Sequence, residues 1–254
     1  MKAMKNKPWY FFYSNHESTF RKDTYYCPSS FSFTNVLEEN YSVIHQEIKE
    51  LLLLNESLLG TYFNDSLLNA PNKWRALSFY FWGVPMSKKA IDSCPKTIRI
   101  LSAIPNIISA SVSVLEPHAE IKPHYGDTDA IYRCHFALEI PGSLPNCGFR
   151  VGYEDRPWEN GKLMVFNDAA YHKAWNKTEQ RRIILLLDVL RPEFVSSKKW
   201  ICAMVRGCIS WQIVIKYFPF FNLKKSVATK VMSVFFASIF YLRFAFLNRK
   251  SAWL

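Results

Sequence analysis

An arginine and a histidine stand two positions apart in a strand-like stretch of the sequence, residues 131–140. Within this stretch, apolar residues alternate with Arg133, His135, Ala137 and Glu139. Such a period of two is typical of a β-strand, whose successive side chains point to opposite faces of the sheet. One face of the strand is therefore apolar, whereas the other presents a guanidinium and an imidazole side by side. We expect this second face to line a polar cavity, because an ordinary core strand needs neither group.

Further strand-like stretches flank this one at intervals of about ten residues. They are residues 113–116, 121–124, 162–166 and 182–190. His124 ends the second of them and His172 follows the third. Arg182 is the one cation of the fourth and stands at its start. Short strands separated by turns predict a double-stranded β-helix, or jelly roll. The predicted fold class is mainly β with flanking helices, with this cupin-like core and a helical C-terminal appendage.

Several motifs in this region occur in the order and at the spacing of a known family. They cover residues 113–140, 147–152, 158–162, 166–168, 172–176 and 188–192. In these motifs the chain resembles the aspartyl/asparaginyl β-hydroxylase family of iron(II)- and 2-oxoglutarate-dependent oxygenases. A single histidine in a globular chain is usually structural, but linked motifs in family order favour the resemblance. His16, His45 and His118 match no motif, and no role is predicted for them.

The resemblance implies a role for each matching residue. His124 and His172 are expected to bind the iron. The 2-oxoglutarate-binding set is expected to comprise Ser113, Arg133, His135 and Arg182. These residue types suit the roles, because neutral imidazoles bind iron and a guanidinium fork pairs well with a carboxylate of the cosubstrate.

Position 126, two residues after His124, is a glycine. Most non-haem iron oxygenases have a carboxylate ligand there. The resemblance implies that a water takes this ligand position and that Asp168 orients it as a catalytic residue. Asp127 is the competing candidate for the carboxylate at the metal site. It lies one residue after the usual ligand position, so its side chain is expected to point to the opposite side of an extended chain. The family more often has aspartate where this chain has Asn167.

The reaction that the resemblance implies consumes O2 and converts 2-oxoglutarate to succinate and carbon dioxide while hydroxylating a C–H bond. The family-level prediction is hydroxylation of an Asp or Asn side chain in a peptide or protein, which the glycine at position 126 favours. Hydroxylation of a membrane lipid, on an acyl chain of lipid A or of an amino-acid lipid, is the alternative. A non-enzymatic alternative is a membrane-tethered jelly roll that binds a ligand without turnover.

The motifs divide the chain into three segments. Residues 96–193 are predicted to form the catalytic core, and residues 1–95 to form helical and strand elements that pack on it. One of these elements is an amphipathic helix, in which apolar residues recur at spacings of four and three. They are Leu37, Tyr41, Ile44, Ile48 and Leu51.

The third segment, residues 194–254, differs in composition. Glu193 is the last acidic residue, and ten basic residues follow it, so this segment holds +10 of the formal net charge of +11. It is also rich in aromatic and branched apolar residues, but its longest uncharged stretch has 12 residues, which is short for a membrane span. We predict helices that lie in an anionic lipid interface. The alternatives are a tilted spanning hairpin and helices that pad the catalytic domain.

The start of the chain and its cysteines indicate the cellular compartment in which the protein is expected. The apolar run at residues 9–13 is too short for the core of a signal peptide. The six cysteines lack zinc-type spacing and are expected to be reduced thiols. We therefore expect the catalytic domain on the cytoplasmic face of a membrane. Nucleic acid is not an expected partner, because no basic patch interleaves with the motifs.

Overall fold

The structure, a computed structural model, describes residues 7–13, 24–62, 64–221 and 227–247. Its strands are β1 (Tyr25–Tyr26), β2 (Gly60–Thr61), β3 (Trp74–Phe81), β4 (Val84–Pro85), β5 (Ile107–Leu115), β6 (Ala119–His124), β7 (Ile131–Glu139), β8 (Cys147–Val151), β9 (Glu154–Arg156), β10 (Leu163–Phe166), β11 (His172–Asn176) and β12 (Arg182–Leu190). Its α-helices are α1 (Phe33–Glu39), α2 (Tyr41–Asn55), α3 (Lys88–Ser93), α4 (Pro95–Ser102), α5 (Lys198–Tyr217) and α6 (Val227–Leu247).

The strands form two antiparallel sheets that pack against each other. The larger sheet has the order β1-β10-β7-β12-β5-β3-β2, with β4 paired to β3, and the smaller has the order β6-β11-β8-β9. Apolar side chains from both sheets, such as Phe166 of the larger and Phe149 of the smaller, share one buried cluster. The predicted fold class, a jelly roll with flanking helices, is thus confirmed.

The larger sheet has an apolar outer face and a polar inner face. On β7, Cys134, Phe136 and Leu138 are buried against the helices outside the sheet. Arg133 and His135 point the other way and line a cavity between the sheets. The alternation predicted for this strand is therefore confirmed, and it results from the helical layer on one side and the cavity on the other.

The helical layer contains the predicted amphipathic stripe. Leu37, Ile44, Ile48 and Leu51 are buried in the cluster that covers the outer face of the sheet. The stripe is divided between two helices, because the chain leaves helical geometry at Asn40, where φ is −100° and ψ is 14°.

Strand β3 lies inside the larger sheet, although it belongs to the segment predicted to pack on the core. It is hydrogen-bonded to β5 from Trp74 to Tyr80. The predicted boundary between residues 95 and 96 therefore does not separate two structural units. Helices α1 to α4 cover the outside of the sheet, and α4 belongs to the segment predicted as the catalytic core. The alternation in β3 marks it as a strand but does not reveal which strand it pairs with.

Helix α5 is part of the core and not only an appendage. Its residues Ile201 and Val205 share a buried cluster with Ile108, Ile131 and Leu190 of the larger sheet. Helix α6 packs along α5, and over residues 227–244 it is long and apolar enough to cross a membrane by length and composition. Other residues that contributed to the tail prediction, Lys224, Lys225, Arg249, Lys250 and Trp253, lie outside the described residues.

The two C-terminal helices approach each other closely at Gly207. A Cβ atom at this position would lie 2.5 Å from the carbonyl oxygen of Ser233 and 2.6 Å from the amide nitrogen of Ala237. Both atoms belong to the backbone of α6, so they cannot move without shifting the helix. The α5–α6 pair thus depends on a residue without a side chain at this crossing.

We expect Gly207→Ala to lower the free energy of unfolding by about 1–3 kcal/mol, because the added Cβ pushes α6 away from α5. Helix propensity alone would raise the free energy of unfolding of Gly207→Ala, since alanine is favoured over glycine by about 1 kcal/mol in a helix. Urea denaturation of the full chain measures the difference. Gly60→Ala is the control, because its Cβ meets no atom closer than 3.9 Å. A Gly207→Ala protein as stable as the wild type contradicts the close packing.

Candidate metal and anion site

The two predicted metal ligands lie side by side on the smaller sheet. His124 ends β6, His172 begins β11, and the two residues pair directly across these antiparallel strands. Their ring centroids are 4.3 Å apart. The pairing of β6 with β11 therefore brings together two residues that are 48 positions apart in the sequence.

Each imidazole is oriented by the backbone two residues before it. His124 Nδ1 lies 2.9 Å from the carbonyl oxygen of Lys122, and His172 Nδ1 lies 2.7 Å from that of Ala170. Because a carbonyl only accepts hydrogen bonds, each Nδ1 carries the proton and each Nε2 keeps a free lone pair. This tautomer is the one in which a histidine binds a metal through Nε2.

Both imidazoles are neutral at physiological pH. Burial, assisted by the neighbouring His172, lowers the pKa of His124 to about 3, and burial lowers the pKa of His172 to about 4. Among the described residues, no group of three or more His, Cys, Asp and Glu side chains is arranged to hold a metal ion. The donor set is thus a pair of neutral histidines.

Asp168 occupies the space that a side chain at position 126 would fill. A Cβ atom on Gly126 would lie 1.9 Å from Asp168 Oδ2 and 2.0 Å from its Cγ. The carboxylate is fully buried, and its Oδ1 lies 3.9 Å from His172 Nε2. Glycine at 126 and aspartate at 168 are therefore sterically linked, and a carboxylate stands beside the two histidines although position 126 has none.

Arg133 holds this carboxylate in place. Its Nη1 donates to Asp168 Oδ1 at 2.6 Å, while its Nε and Nη2 donate to the two carboxylate oxygens of Asp188 at 2.8 and 3.2 Å. Burial raises the pKa of Asp168 to about 6, and the positive charge of Arg133 opposes this rise. Arg133 lines the cavity as predicted, but three of its five N–H groups are engaged by carboxylates.

The environment of Arg182 differs from that of Arg133, whose N–H groups donate to two carboxylates. It is only 1% exposed, its Cζ lies 4.9 Å from the centre of the Trp158 ring, and its Nε and Nη1 have no hydrogen-bond partner within the described part of the chain. Burial lowers the pKa of its guanidinium to about 10, so it still carries its charge at neutral pH. A buried guanidinium with unused N–H groups is unfavourable by itself and suits an anion.

The remaining two residues of the predicted set line the same cavity. Ser113 Oγ accepts a hydrogen bond from Trp74 Nε1 at 3.0 Å, so its own hydroxyl proton is available to another acceptor. His135 Nδ1 accepts from Trp158 Nε1 at 3.3 Å, which places the His135 proton on Nε2. Burial and the nearby Arg182 lower the pKa of His135, and the ring stays neutral.

One cavity of about 640 Å³ is lined by both histidines, by Ser113, by Arg133, by His135 and by Arg182. Along β12 it is lined by Arg182, Ile184, Leu186 and Asp188. The seven residues from Arg182 to Asp188 span about 20 Å of strand, so the cavity is elongated and has Arg182 towards one end. Towards Asp188 its wall includes Ile209 and Gln212 of α5.

Asp127 and Asn167 do not stand beside the histidines as ligands. Asp127 binds Asp168 Oδ2 through its backbone N–H at 3.1 Å, while its side chain lines the cavity, where burial raises its pKa to about 7. Asn167 is buried, and its Oδ1 accepts from the backbone of Ala169, so it shapes the turn before β11. The unassigned His45 and His118 contact Glu139 and Glu179, respectively, away from the cavity, and His16 lies outside the described residues.

Sequence reasoning missed Asp188 and the contribution of α5. Asp188 is the one acidic residue inside the apolar run of β12, and this isolation was a usable signal for a buried ion pair. Ile209 and Gln212 gave no signal, because they lie in a helix that is apolar on several sides.

The central part of the chain is similar to known proteins. The family model for aspartyl/asparaginyl beta-hydroxylase matches residues 38–192. The ornithine lipid ester-linked acyl 2-hydroxylase of Rhizobium tropici is 29% identical over 171 residues, which are 66% of this chain and 60% of that protein. The aspartyl/asparaginyl beta-hydroxylase of Homo sapiens is 27% identical over 169 residues, which are 64% of this chain and 22% of that protein. The chain thus spans less than two thirds of each of these relatives.

One solved structure can be compared in the same way. A prolyl-4-hydroxylase of Pseudomonas putida aligns with 63% of this chain and covers 98% of its own chain, at 12% sequence identity and a TM-score of 0.41. The family model ends at residue 192, so helices α5 and α6 lie beyond the matched segment.

We expect Gly126→Ala to lower the free energy of unfolding by about 1–3 kcal/mol, because its Cβ displaces the buried Asp168 carboxylate from Arg133. A double-mutant cycle with Asp168→Gly isolates this contact. In the Asp168→Gly background, Gly126→Ala should lower the free energy of unfolding much less, since the carboxylate that the new Cβ would meet has been removed. Chemical denaturation of the four proteins measures the coupling. Additive effects of the two substitutions contradict the steric link between positions 126 and 168.

Proposed function

Because the chain belongs to the aspartyl/asparaginyl β-hydroxylase family, we propose that it is an iron(II)- and 2-oxoglutarate-dependent hydroxylase. His124 and His172 hold the iron through their free Nε2 atoms. The observation that carries the proposal is the buried Arg182, which lines the same cavity as the histidine pair and whose Nε and Nη1 have no hydrogen-bond partner among the described residues. A neutral metal-binding pair and an unsatisfied cation in one cavity suit a metal together with an anionic cosubstrate.

The groups around the predicted cosubstrate site are hydrogen-bond donors. They are the free N–H groups of Arg182, the hydroxyl of Ser113, Nε2–H of His135 and the two unused N–H groups of Arg133. A dicarboxylate such as 2-oxoglutarate has only acceptors, so the match is complementary. The charge of Arg133 is already balanced by Asp168 and Asp188, which leaves Arg182 as the natural partner of the distal carboxylate.

Asp168 is proposed to act as a positioning residue at the metal. Its Oδ1 lies 3.9 Å from His172 Nε2, and the carboxylate is held by Arg133 and by the amide of Asp127. From there it can accept a hydrogen bond from a water beside the metal. This role agrees with glycine at position 126, since the two residues share the space that a ligand carboxylate at 126 would need.

The iron supplies the activation of O2 that couples decarboxylation of 2-oxoglutarate to insertion of one oxygen atom into a C–H bond. The protein would orient the bound groups. It would also keep most water away from the two histidines, which are buried or half-buried. For the substrate we propose an Asp or Asn side chain of a peptide or protein, in line with the family description and with the human relative.

A lipid is the second candidate substrate. Two observations favour it: the similarity to a relative named for hydroxylation of an ornithine lipid acyl chain, and the apolar Ile209 in the cavity wall. Lipid extracts from cells that express the wild-type chain or the His172→Ala variant distinguish the candidates. A lipid series that gains one oxygen atom with the wild type and not with the variant supports the lipid over the peptide.

We also propose that the protein lies on the cytoplasmic face of a membrane. The support is helix α6, which is apolar enough for a membrane, and the basic character of residues 194–254. The peptide candidate and the lipid candidate are both compatible with this location.

Replacement of either histidine by alanine is expected to abolish iron-dependent formation of succinate from 2-oxoglutarate, because each variant removes one of two metal ligands. His45→Ala is the matched control, since His45 lies outside the cavity and pairs with Glu139. Circular dichroism checks that the variants remain folded. If His124→Ala or His172→Ala retains wild-type turnover, the metal assignment is wrong.

Arg182→Met is expected to weaken 2-oxoglutarate binding by about 2–5 kcal/mol, because it removes the buried charge that pairs with the carboxylate. The ligand-free fold should be as stable as the wild type or more stable, since the guanidinium lacks partners there. Isothermal titration and chemical denaturation measure the two effects. Arg181→Ala is the control, because the neighbouring Arg181 forms surface ion pairs with Glu56 and Glu116. Unchanged 2-oxoglutarate affinity in Arg182→Met assigns the anion to another residue.

A further inference from the structure

Helix α6 has one face that is buried against α5. Thr229, Ser233, Ala237 and Phe244 are buried on this face. At about 100° per residue, these four residues fall on one side of the helix. The face is tightly packed, as the approach of Ala237 to Gly207 shows.

The opposite face of α6 is exposed and apolar. It consists of Val227, Val231, Phe235, Ile239 and Leu242, which we call the outer face. Val231 is 58% exposed and Ile239 is 50% exposed. Residues at these spacings of four and three form a continuous stripe along the helix. A stripe of large apolar side chains of this length is unusual on the surface of a soluble monomer and marks a contact surface.

Basic residues border the outer face. In the same helical projection Lys230 and Arg243 fall on its two edges, one on each side. Lys216 and Lys199 of α5 are exposed as well, and no acidic residue follows Glu193 in the sequence. A protein partner with an acidic rim would also fit this charge. A bilayer with anionic lipids fits both the apolar stripe and cations on both of its edges.

The packing of α6 indicates how it meets a bilayer. A helix that spans a bilayer alone is surrounded by lipid, whereas α6 is covered along one side by α5. Helix α5 in turn is buried against the larger sheet through Ile201 and Val205. The outer face is therefore one side of a folded domain, and it is the side of α6 that the described residues leave exposed.

We propose that the outer face of α6 docks the protein in the plane of an anionic lipid bilayer, with the helix axis parallel to the membrane surface. The proposal deepens the membrane location in the proposed function and rests on it, but it does not depend on the metal chemistry. Helix α5 connects the docking surface with the cavity, because one of its sides contacts α6 and Ile209 and Gln212 lie in the cavity wall. Docking thus places the α5–α6 layer between the bilayer and this wall of the cavity.

Vesicle flotation with the full-length wild-type chain tests the docking. We expect binding to vesicles of phosphatidylglycerol and phosphatidylcholine, weaker binding to phosphatidylcholine alone, and a loss of binding as ionic strength rises. The double substitution Val231→Glu/Ile239→Glu is expected to weaken the binding by about tenfold to a hundredfold, since it places two charges on the outer face.

The matched control is Leu53→Glu/Leu54→Glu. These leucines are 74% and 81% exposed on α2, so the control adds the same charges at apolar surface positions away from α6. It should bind vesicles like the wild type. Equal binding of both double variants overturns the proposal. A wild-type dimer in solution that Val231→Glu/Ile239→Glu converts to a monomer, without loss of vesicle binding, also overturns it and assigns the outer face to self-association.

The same proteins separate this proposal from the proposed function. Iron- and 2-oxoglutarate-dependent succinate formation, measured without lipid, should be equal in the wild type and in Val231→Glu/Ile239→Glu, because neither residue lines the cavity. If no protein forms succinate while the wild type still binds anionic vesicles more tightly than the variant, the catalytic proposal fails and the docking stands. If succinate forms normally but vesicle binding is absent, the docking fails alone.

Discussion

The buried ion pairs of Arg133 determine the geometry of the site. Its guanidinium joins Asp168, in the turn before β11, to Asp188 in β12, and so it ties the smaller sheet to the larger one. Removal of one partner from such a network leaves an uncompensated buried charge, at a cost of about 3–5 kcal/mol. Because Asp168 is held in this way, it fills the space above Gly126 and stands beside His172. Arg133 is neutralised by the same contacts, whereas Arg182 stays unpaired, and the unbalanced positive charge of the cavity is therefore located at Arg182.

Much of this site could be predicted from the sequence, because its residues lie in strands with a clear period of two. The alternation of β7 correctly placed Arg133 and His135 on a cavity face, and the family resemblance identified both histidines and Arg182 as residues that the structure brings to one cavity. Contacts between distant strands could not be predicted in this way. The pairing of Arg133 with Asp188 and the contact of Gly126 with Asp168 depend on strand order and on a turn, and periodicity specifies neither. The place of β3 within the sheet was missed for the same reason.

The C-terminal helices show a different limit of sequence reasoning. The composition changes at Glu193, shortly before α5 begins at Lys198, but apolar residues in α5 give the same sequence pattern whether protein or lipid covers them. In the structure α5 packs against the larger sheet and against α6, and the outer face of α6 stays exposed among the described residues. The basic segment is thus a layer of the domain that continues the cavity wall and ends in an apolar surface.

The proposed function requires one cavity in which His124 and His172 would hold a metal and Arg182 would bind a carboxylate of 2-oxoglutarate. Anaerobic titration of the full-length chain with iron(II) and 2-oxoglutarate, followed by visible absorption spectroscopy, tests it most directly. The account predicts a charge-transfer absorption that appears only when both are present and saturates at one iron and one 2-oxoglutarate per chain. If 2-oxoglutarate binds equally well without iron, or if no such absorption develops at saturating concentrations of both, the two ligands do not share this site and the account is wrong.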